Sequence, residues 1–263
     1  MQRLEHVLKE AIETVTRGVL RAVRGRGEED IRALLGQLAE RGCARIDNFW
    51  SADRCAAAAA AIDAGLDVDA RGSRRWTDAE HCDMRLYFGE RLDGEPRAYF
   101  EDPFVHELRR RYTGFTGGDS LLLAARMRYV AGNKGSGGGW HRDSPHRSQF
   151  KALLYLTDVT AASGPFEFVV GSHTAGNSVS MLLSGHSAPN QYRFTDGEVN
   201  ALATRGAEIE SFHGPAGTLL LVDTKGIHRG RPIESGQRYA MTHYFWDGAM
   251  PDGFADMRTP AMQ

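Results

Sequence analysis

A histidine and an aspartate two positions apart, His141 and Asp143, follow the run Gly137-Gly138-Gly139-Trp140 near the middle of the chain. On a β-strand, residues i and i+2 project to one face, so an imidazole and a carboxylate at this spacing can close on one metal ion. A 2-His-1-carboxylate site needs a second imidazole from elsewhere and leaves the opposite face of the metal open for oxygen chemistry. His228 is the leading candidate for that ligand, and Arg238 lies ten residues beyond it. The chain has ten histidines, so His-x-Asp by itself also fits a surface pair or an internal hydrogen bond. Its surroundings favour a site. The glycine run lets the backbone turn sharply into it, and the apolar stretch 149–156 offers a rigid strand behind it. In Gly171-Ser172-His173 the histidine reads as a turn cap.

Two other motifs fail on inspection. His141-Arg142-Asp143 imitates a kinase catalytic loop, but the asparagine required five residues later is Ser148, and no DFG triplet is present. The run Gly132 to Gly139 has Gly138 where a phosphate-binding loop needs lysine.

The elements that would position this chemistry come from a chain of 263 residues, 41% hydrophobic and 25% charged, which is the composition of a soluble globular protein with a full core. One domain over 1–263 suffices at this length, with a helical N-terminal part to about residue 66 and a β core from about 121 to 246. A net charge of −2 gives no pull toward nucleic acid or anionic membrane. Three cysteines without zinc spacing, and no secretory signal, fit a reducing cytoplasm. No apolar run reaches the length of a membrane span.

Apolar residues at 3–4 spacing predict an amphipathic helix over Met1–Val23, a face for the domain or for a second subunit in a homo-oligomer. A second helix is expected over Glu28–Arg41, ended by Gly42. A short strand follows over Ala44–Trp50, then an alanine-rich helix, Ala52–Leu66, capped by Ser51. The polar stretch from Asp67 to Pro103 is hard to read, with one strand expected at Arg85–Phe88. Pro103–Tyr112 reads as a short helix. From Leu121 the pattern turns to strands: 121–130, 149–156, 166–170, 208–212, 218–222 and 238–246. Such a series is mainly β with flanking helices and suggests a sandwich or a jelly roll. The connection 173–206, with Asp196 as cap of a helix to about Thr204, is long enough for a binding loop or lid. On the strands, Arg126 and Arg128 share parity and could meet an anionic ligand or line a solvent-facing stripe, while Thr242 shares parity with Arg238.

Gly-Gly-Trp140-His141-x-Asp143, Ser163-Gly164-Pro165, Gly171-Ser172-His173, then His228 and Arg238 in this order resemble the phytanoyl-CoA dioxygenase family. The resemblance covers roughly Leu121–Trp246. It implies a double-stranded β-helix (a cupin-like jelly roll), Fe(II) on His141, Asp143 and His228, and 2-oxoglutarate and O2 as cosubstrates. It also implies Arg238 on the distal carboxylate of 2-oxoglutarate, a task for which the planar guanidinium fork is suited. Arg126, Arg128 and Thr242 remain candidates for further cosubstrate contacts. Related halogenases lack the carboxylate ligand, so an intact Asp143 favours hydroxylation of a small-molecule substrate. The chain departs from the family at Leu153, where an aromatic is common, and at Gly230, where serine is common. Two rivals stay open: a cupin-type oxygenase without 2-oxoglutarate, and a β-barrel binding module.

Overall fold

The structure is a computed structural model that describes residues 27–67 and 74–254. The helix expected over Met1–Val23, and with it the subunit contact, lies outside the described residues. Among those residues no helix is long and apolar enough to cross a membrane.

Helix α1 (Glu28–Arg41) buries Ile31, Leu34 and Leu38 and stops at Gly42, whose left-handed backbone donates its N–H to the Leu38 carbonyl. Strand β1 (Cys43–Ile46) follows, shorter than the expected Ala44–Trp50 because the chain turns from residue 47. Helix α2 (Ala52–Asp67) starts as expected at Ser51, whose hydroxyl accepts the Arg54 N–H. The unreadable stretch supplies β2 (Arg74–Thr77), β3 (Asp83–Tyr87) and α3 (Glu95–Phe100). Helix α4 (Pro103–Thr113) is capped by Asp102, with proline at its first position.

The remaining strands are β4 (Ser120–Arg128), β5 (Phe150–Tyr155), β6 (Phe166–Val169), β7 (Ile209–Phe212), β8 (Leu219–Asp223), β9 (His228–Gly230) and β10 (Gln237–Phe245). Between β6 and β7 run α5 (Ala175–Leu183) and α6 (Asp196–Thr204). The cap of α6 is Thr195, not Asp196. Thr195 has the extended backbone a cap needs, its hydroxyl accepts the Glu198 N–H, and Glu198 reaches back to the Thr195 N–H.

All pairing is antiparallel, in a seven-stranded sheet ordered β1-β8-β5-β10-β4-β3-β2 and a three-stranded sheet ordered β7-β6-β9. From β4 onward the chain passes back and forth between the two sheets, which is the expected jelly-roll core. Three strands from before residue 120 widen the larger sheet. Alternation along β5 fixes its two faces: Phe150, Ala152 and Leu154 join the core under the helices, while Tyr155 and Leu153 join the cluster between the sheets. That second cluster also holds Phe166, Phe168, Phe212, Leu220 and Val222, so the two sheets are glued at one end and open toward residues 141–143 at the other.

Candidate metal centre

His141 sits on a bridge outside the named strands. Its N–H and C=O exchange 2.8 Å hydrogen bonds with His228, at the start of β9, so backbone pairing sets the two imidazoles side by side, ring centroids 4.3 Å apart. Asp143, two residues on, donates its N–H to the Thr224 carbonyl beyond β8. Three donor atoms, one each from His141, Asp143 and His228, lie within 4.8 Å of one another. The glycine run makes this wrap feasible: Gly137 has φ +82°, and a Cβ there would stand 2.4 Å from the His141 ring.

Each imidazole is oriented by its own backbone. His141 Nδ1 lies 2.9 Å from the Gly139 carbonyl and His228 Nδ1 2.9 Å from that of Gly226. A carbonyl only accepts, so both Nδ1 atoms carry the proton and both Nε2 atoms present a lone pair. Burial holds both rings neutral, His228 down to about 3 with His141 beside it, and His141 also below its ordinary value. Asp143 is pulled the other way. Burial would raise its carboxyl pKa, but Lys151 and the two imidazoles hold it below the usual carboxylate range. Two neutral imidazole nitrogens and one ionised carboxylate oxygen are a donor set that suits Fe(II) with open positions.

The centre opens into a cavity of about 260 Å³ between the sheets, lined also by Arg238, Thr242, Lys151 and Arg85. Arg238 is 6% exposed. Its Nη2 touches the Met127 sulfur at 3.0 Å, and its Nε and Nη1 have no partner. Burial without an anion pushes its pKa down. Thr242, two pairs of residues along β10, lines the same wall.

Arg126 and Arg128 do not reach this cavity. They share parity with Leu122 and Ala124, which face the helices. Arg126 pairs with Asp63 of α2 at 2.6 Å, and Arg128 donates to the His81 carbonyl at the surface. The shared parity read from the sequence is right, and the face they share is the helix-covered one, not the cavity face. His173 is likewise away from the His141–Asp143–His228 cluster, its Nε2 3.2 Å from the Ala39 carbonyl of α1. Of the segment 173–206, Arg193 alone lines the cavity, held by the Gly137 carbonyl. The helices α5 and α6 pack with Trp140 and Ile227 on the outer side.

Two cavity residues were missed. Lys151 of β5 is 4% exposed, its Nζ 2.6 Å from Asp143 Oδ2 and 3.7 Å from the centre of the Tyr244 ring. The available signal was a single lysine in an otherwise apolar strand, at the parity of the inward Leu153. Arg85 of β3 is fixed by Asp83 at 3.0 Å through Nε and reaches Ser136 Oγ at 3.1 Å. The departure at Gly230 has a local cause here, since a Cβ at that position would stand 2.7 Å from the Ser136 side chain.

No curated protein matches the chain. Among solved structures, the epimerase SnoN from nogalamycin biosynthesis, in complex with Fe3+, alpha ketoglutarate and nogalamycin RO, is similar at TM-score 0.65 and 15% identity, covering 89% of this chain and 91% of that one. The alpha ketoglutarate dependent carbocyclase SnoK from the same biosynthesis reaches 0.60 at 16% identity, over 89% and 92%. A prolyl-4-hydroxylase from Pseudomonas putida reaches 0.52 at 16%, over 82% and 98%. At such identities these likenesses establish the fold. The sequence itself matches the family described as Phytanoyl-CoA dioxygenase (PhyH) over residues 38–240, most of its length. The chain belongs to the phytanoyl-CoA dioxygenase family.

Proposed function

We propose that this chain is an oxidoreductase that uses Fe(II), 2-oxoglutarate and O2 to oxidise a small-molecule or sugar- or lipid-linked biosynthetic substrate, with hydroxylation as the default outcome. Arg238 carries the reading. A buried guanidinium with two unpartnered nitrogens is costly by itself, and it shares its cavity with the His-Asp-His cluster. A dicarboxylate bound between the two satisfies both.

In this reading His141 and His228 offer their Nε2 lone pairs to the iron, and Asp143 offers an ionised oxygen. When bound, Fe(II) with 2-oxoglutarate activates O2 for attack on a substrate C–H bond. Arg238 grips the distal carboxylate of the cosubstrate with its fork, and the Thr242 hydroxyl stands on the same wall. Leu123, Leu153 and Val222 line the cavity between these groups with apolar surface, which limits water and strengthens the charge contacts. Tyr87, Phe166, Tyr244 and Phe254 add aromatic surface suited to a partly apolar small molecule. SnoN, in its complex with nogalamycin RO, and SnoK support the small-molecule class.

The test is anaerobic addition of Fe(II) and then 2-oxoglutarate. A weak visible charge-transfer band should appear only with both present, and succinate should form once O2 and substrate are admitted. Iron binding with no band and no 2-oxoglutarate dependence would favour the cupin-type oxygenase, and no iron binding the non-enzymatic module.

A further inference from the structure

Arg142 stands between the metal ligands His141 and Asp143, yet it faces away from them, as strand alternation requires. Its side chain lines a separate cavity of about 300 Å³, formed against α5 and the loop 187–191. It is 6% exposed, and its Nε and Nη2 are buried without a hydrogen-bond partner. The Phe194 ring lies 5.0 Å from the guanidinium carbon, a contact that favours the cation but satisfies none of its N–H groups. Among the described residues Arg238 and Arg142 are the two arginines with two buried nitrogens left unpartnered. Arg229, by comparison, also sits on an aromatic ring, that of Trp140, but is held by Glu167 and Asp196.

The orphaned pair on Arg142 has a chemical direction. Nε and Nη2 form one edge of the guanidinium, the edge that Arg54 and Arg110 in this same chain present to a glutamate. Two parallel donors on that edge match the two oxygens of a carboxylate or a phosphate. Lys225 lines the same cavity, and no aspartate or glutamate does. Val179, Leu182, Pro145 and Pro189 complete the wall with apolar surface, and Val179 and Leu182 are exposed. We infer that this cavity is a second anion-binding site, on the back of the segment 141–143, for a carboxylate or phosphate carried on an apolar body. The two sites share a wall: His141 and Asp143 face one cavity and Arg142 the other, while Thr224 lines the first and its neighbour Lys225 the second. An occupant would therefore brace the backbone that holds two of the three ligands.

Binding, not turnover, tests this, so its failure is separate from failure of the proposed function. Full-length protein is loaded with Ni(II) and saturating 2-oxoglutarate to fill the metal cavity, then titrated calorimetrically with octyl phosphate and, separately, octanoate. One saturable site is expected, and the tighter of the two probes identifies the head group. Arg142→Met, which keeps the aliphatic stem, should weaken that binding roughly thirtyfold or more, the loss typical of truncating one side of a desolvated charge pair. Without probe, Arg142→Met should melt no lower than the parent, because it removes an unpaired buried charge. Arg238→Ala should leave octyl phosphate binding unchanged. Absence of saturable binding by either probe, or equal binding by a folded Arg142→Met, would overturn the inference.

Discussion

The antiparallel ribbon of β4 and β10 has two faces, and they treat arginine in opposite ways. On the helix-covered face Arg126 finds Asp63 at 2.6 Å, and the hydroxyl of its cross-strand neighbour Tyr239 donates to both oxygens of the same carboxylate. On the cavity face Arg238, opposite Met127, finds only a sulfur. Both side chains hang from the same two strands, one register step apart. On the helix face the chain supplies the counter-charge itself, which serves stability. The cavity face withholds one anion, and that missing group is what a ligand can supply. A charge left unpaired in a dry place, where a paired one stands a few ångströms away, points to binding more directly than residue type does.

The largest effect that would sharpen this contrast is at the proposed metal ligands. Asp143→Ala should abolish turnover, since it removes the one anionic donor among three, while its fold should survive because the residue lies at the cavity, not in the helix-packed core. Activity with Fe(II) close to the parent level, alongside an unchanged circular dichroism spectrum, would break the assignment.

Next come the two arginines themselves. Arg238→Ala should weaken 2-oxoglutarate by about 2–5 kcal/mol, roughly 30- to several-thousand-fold, with Arg238→Lys in between and iron affinity unchanged. Arg126→Met should leave 2-oxoglutarate dependence untouched. Its stability cost should be about 1 kcal/mol or less, because Asp63 is 41% exposed in its side chain and can turn to water. Titrating the charge-transfer band against 2-oxoglutarate checks both. Equal losses in the two variants would erase the distinction between the faces.

How far these faces were readable in the sequence depended on what each feature needs. His141 and Asp143 were legible because two ligands two apart on an extended chain need no knowledge of the rest of the fold. The long strands were legible from apolar runs, and α1 from its spacing and its terminal Gly42. The parity of Arg126 and Arg128 was legible too, but parity says only that they share a face. Which face is inward depends on where α2 lands, and Asp63 is 63 positions from Arg126. Strand β2 escaped, and β3 was expected only from Arg85 onward, because Arg74, Arg75 and Asp83 break the apolar alternation that marks a strand. Lys151 escaped for the converse reason, a single cation in an apolar run. The three-residue β9 is too short for any pattern.

Lys151 gives the next prediction. Its ammonium occupies the Asp143 oxygen that lies 3.6 Å from His228 Nε2, the side on which a metal would be held. Lysine and metal therefore compete for one atom. Lys151→Met keeps the stem against Tyr244 and removes the competitor, so divalent metal should bind tighter, by about tenfold or roughly 1.4 kcal/mol. Competition with a chromogenic chelator measures it. Weaker metal binding in Lys151→Met would mean that the ammonium organises the site instead of blocking it.

The smallest expected effect tests the helix face, where a histidine resembles the cavity face in lacking partners. His243 of β10 is fully buried with neither ring nitrogen hydrogen-bonded. Its ring stacks 3.8 Å from that of Phe245 and lies 4.5 Å from that of Phe100, with His106 at 5.3 Å. Burial, with His106 and Arg109 adding like charge, holds it well below the ordinary histidine value. It is therefore a neutral apolar ring in the fold and takes up a proton only after unfolding. The sign follows from that difference. As pH falls through the unfolded-state value near 6.5, protons bind the unfolded chain and not the folded one, so stability is lost toward acid and is fully present above about pH 7. A ring that stays neutral to pH 5.5 loses about 1 kcal/mol relative to pH 7. His243→Phe keeps the stacking surface and cannot titrate, so its denaturant midpoint should fall less than the parent's between those two pH values. Parallel pH profiles for the two proteins would mean that His243 is charged in the fold, and that the helix face holds an unmet cation of its own.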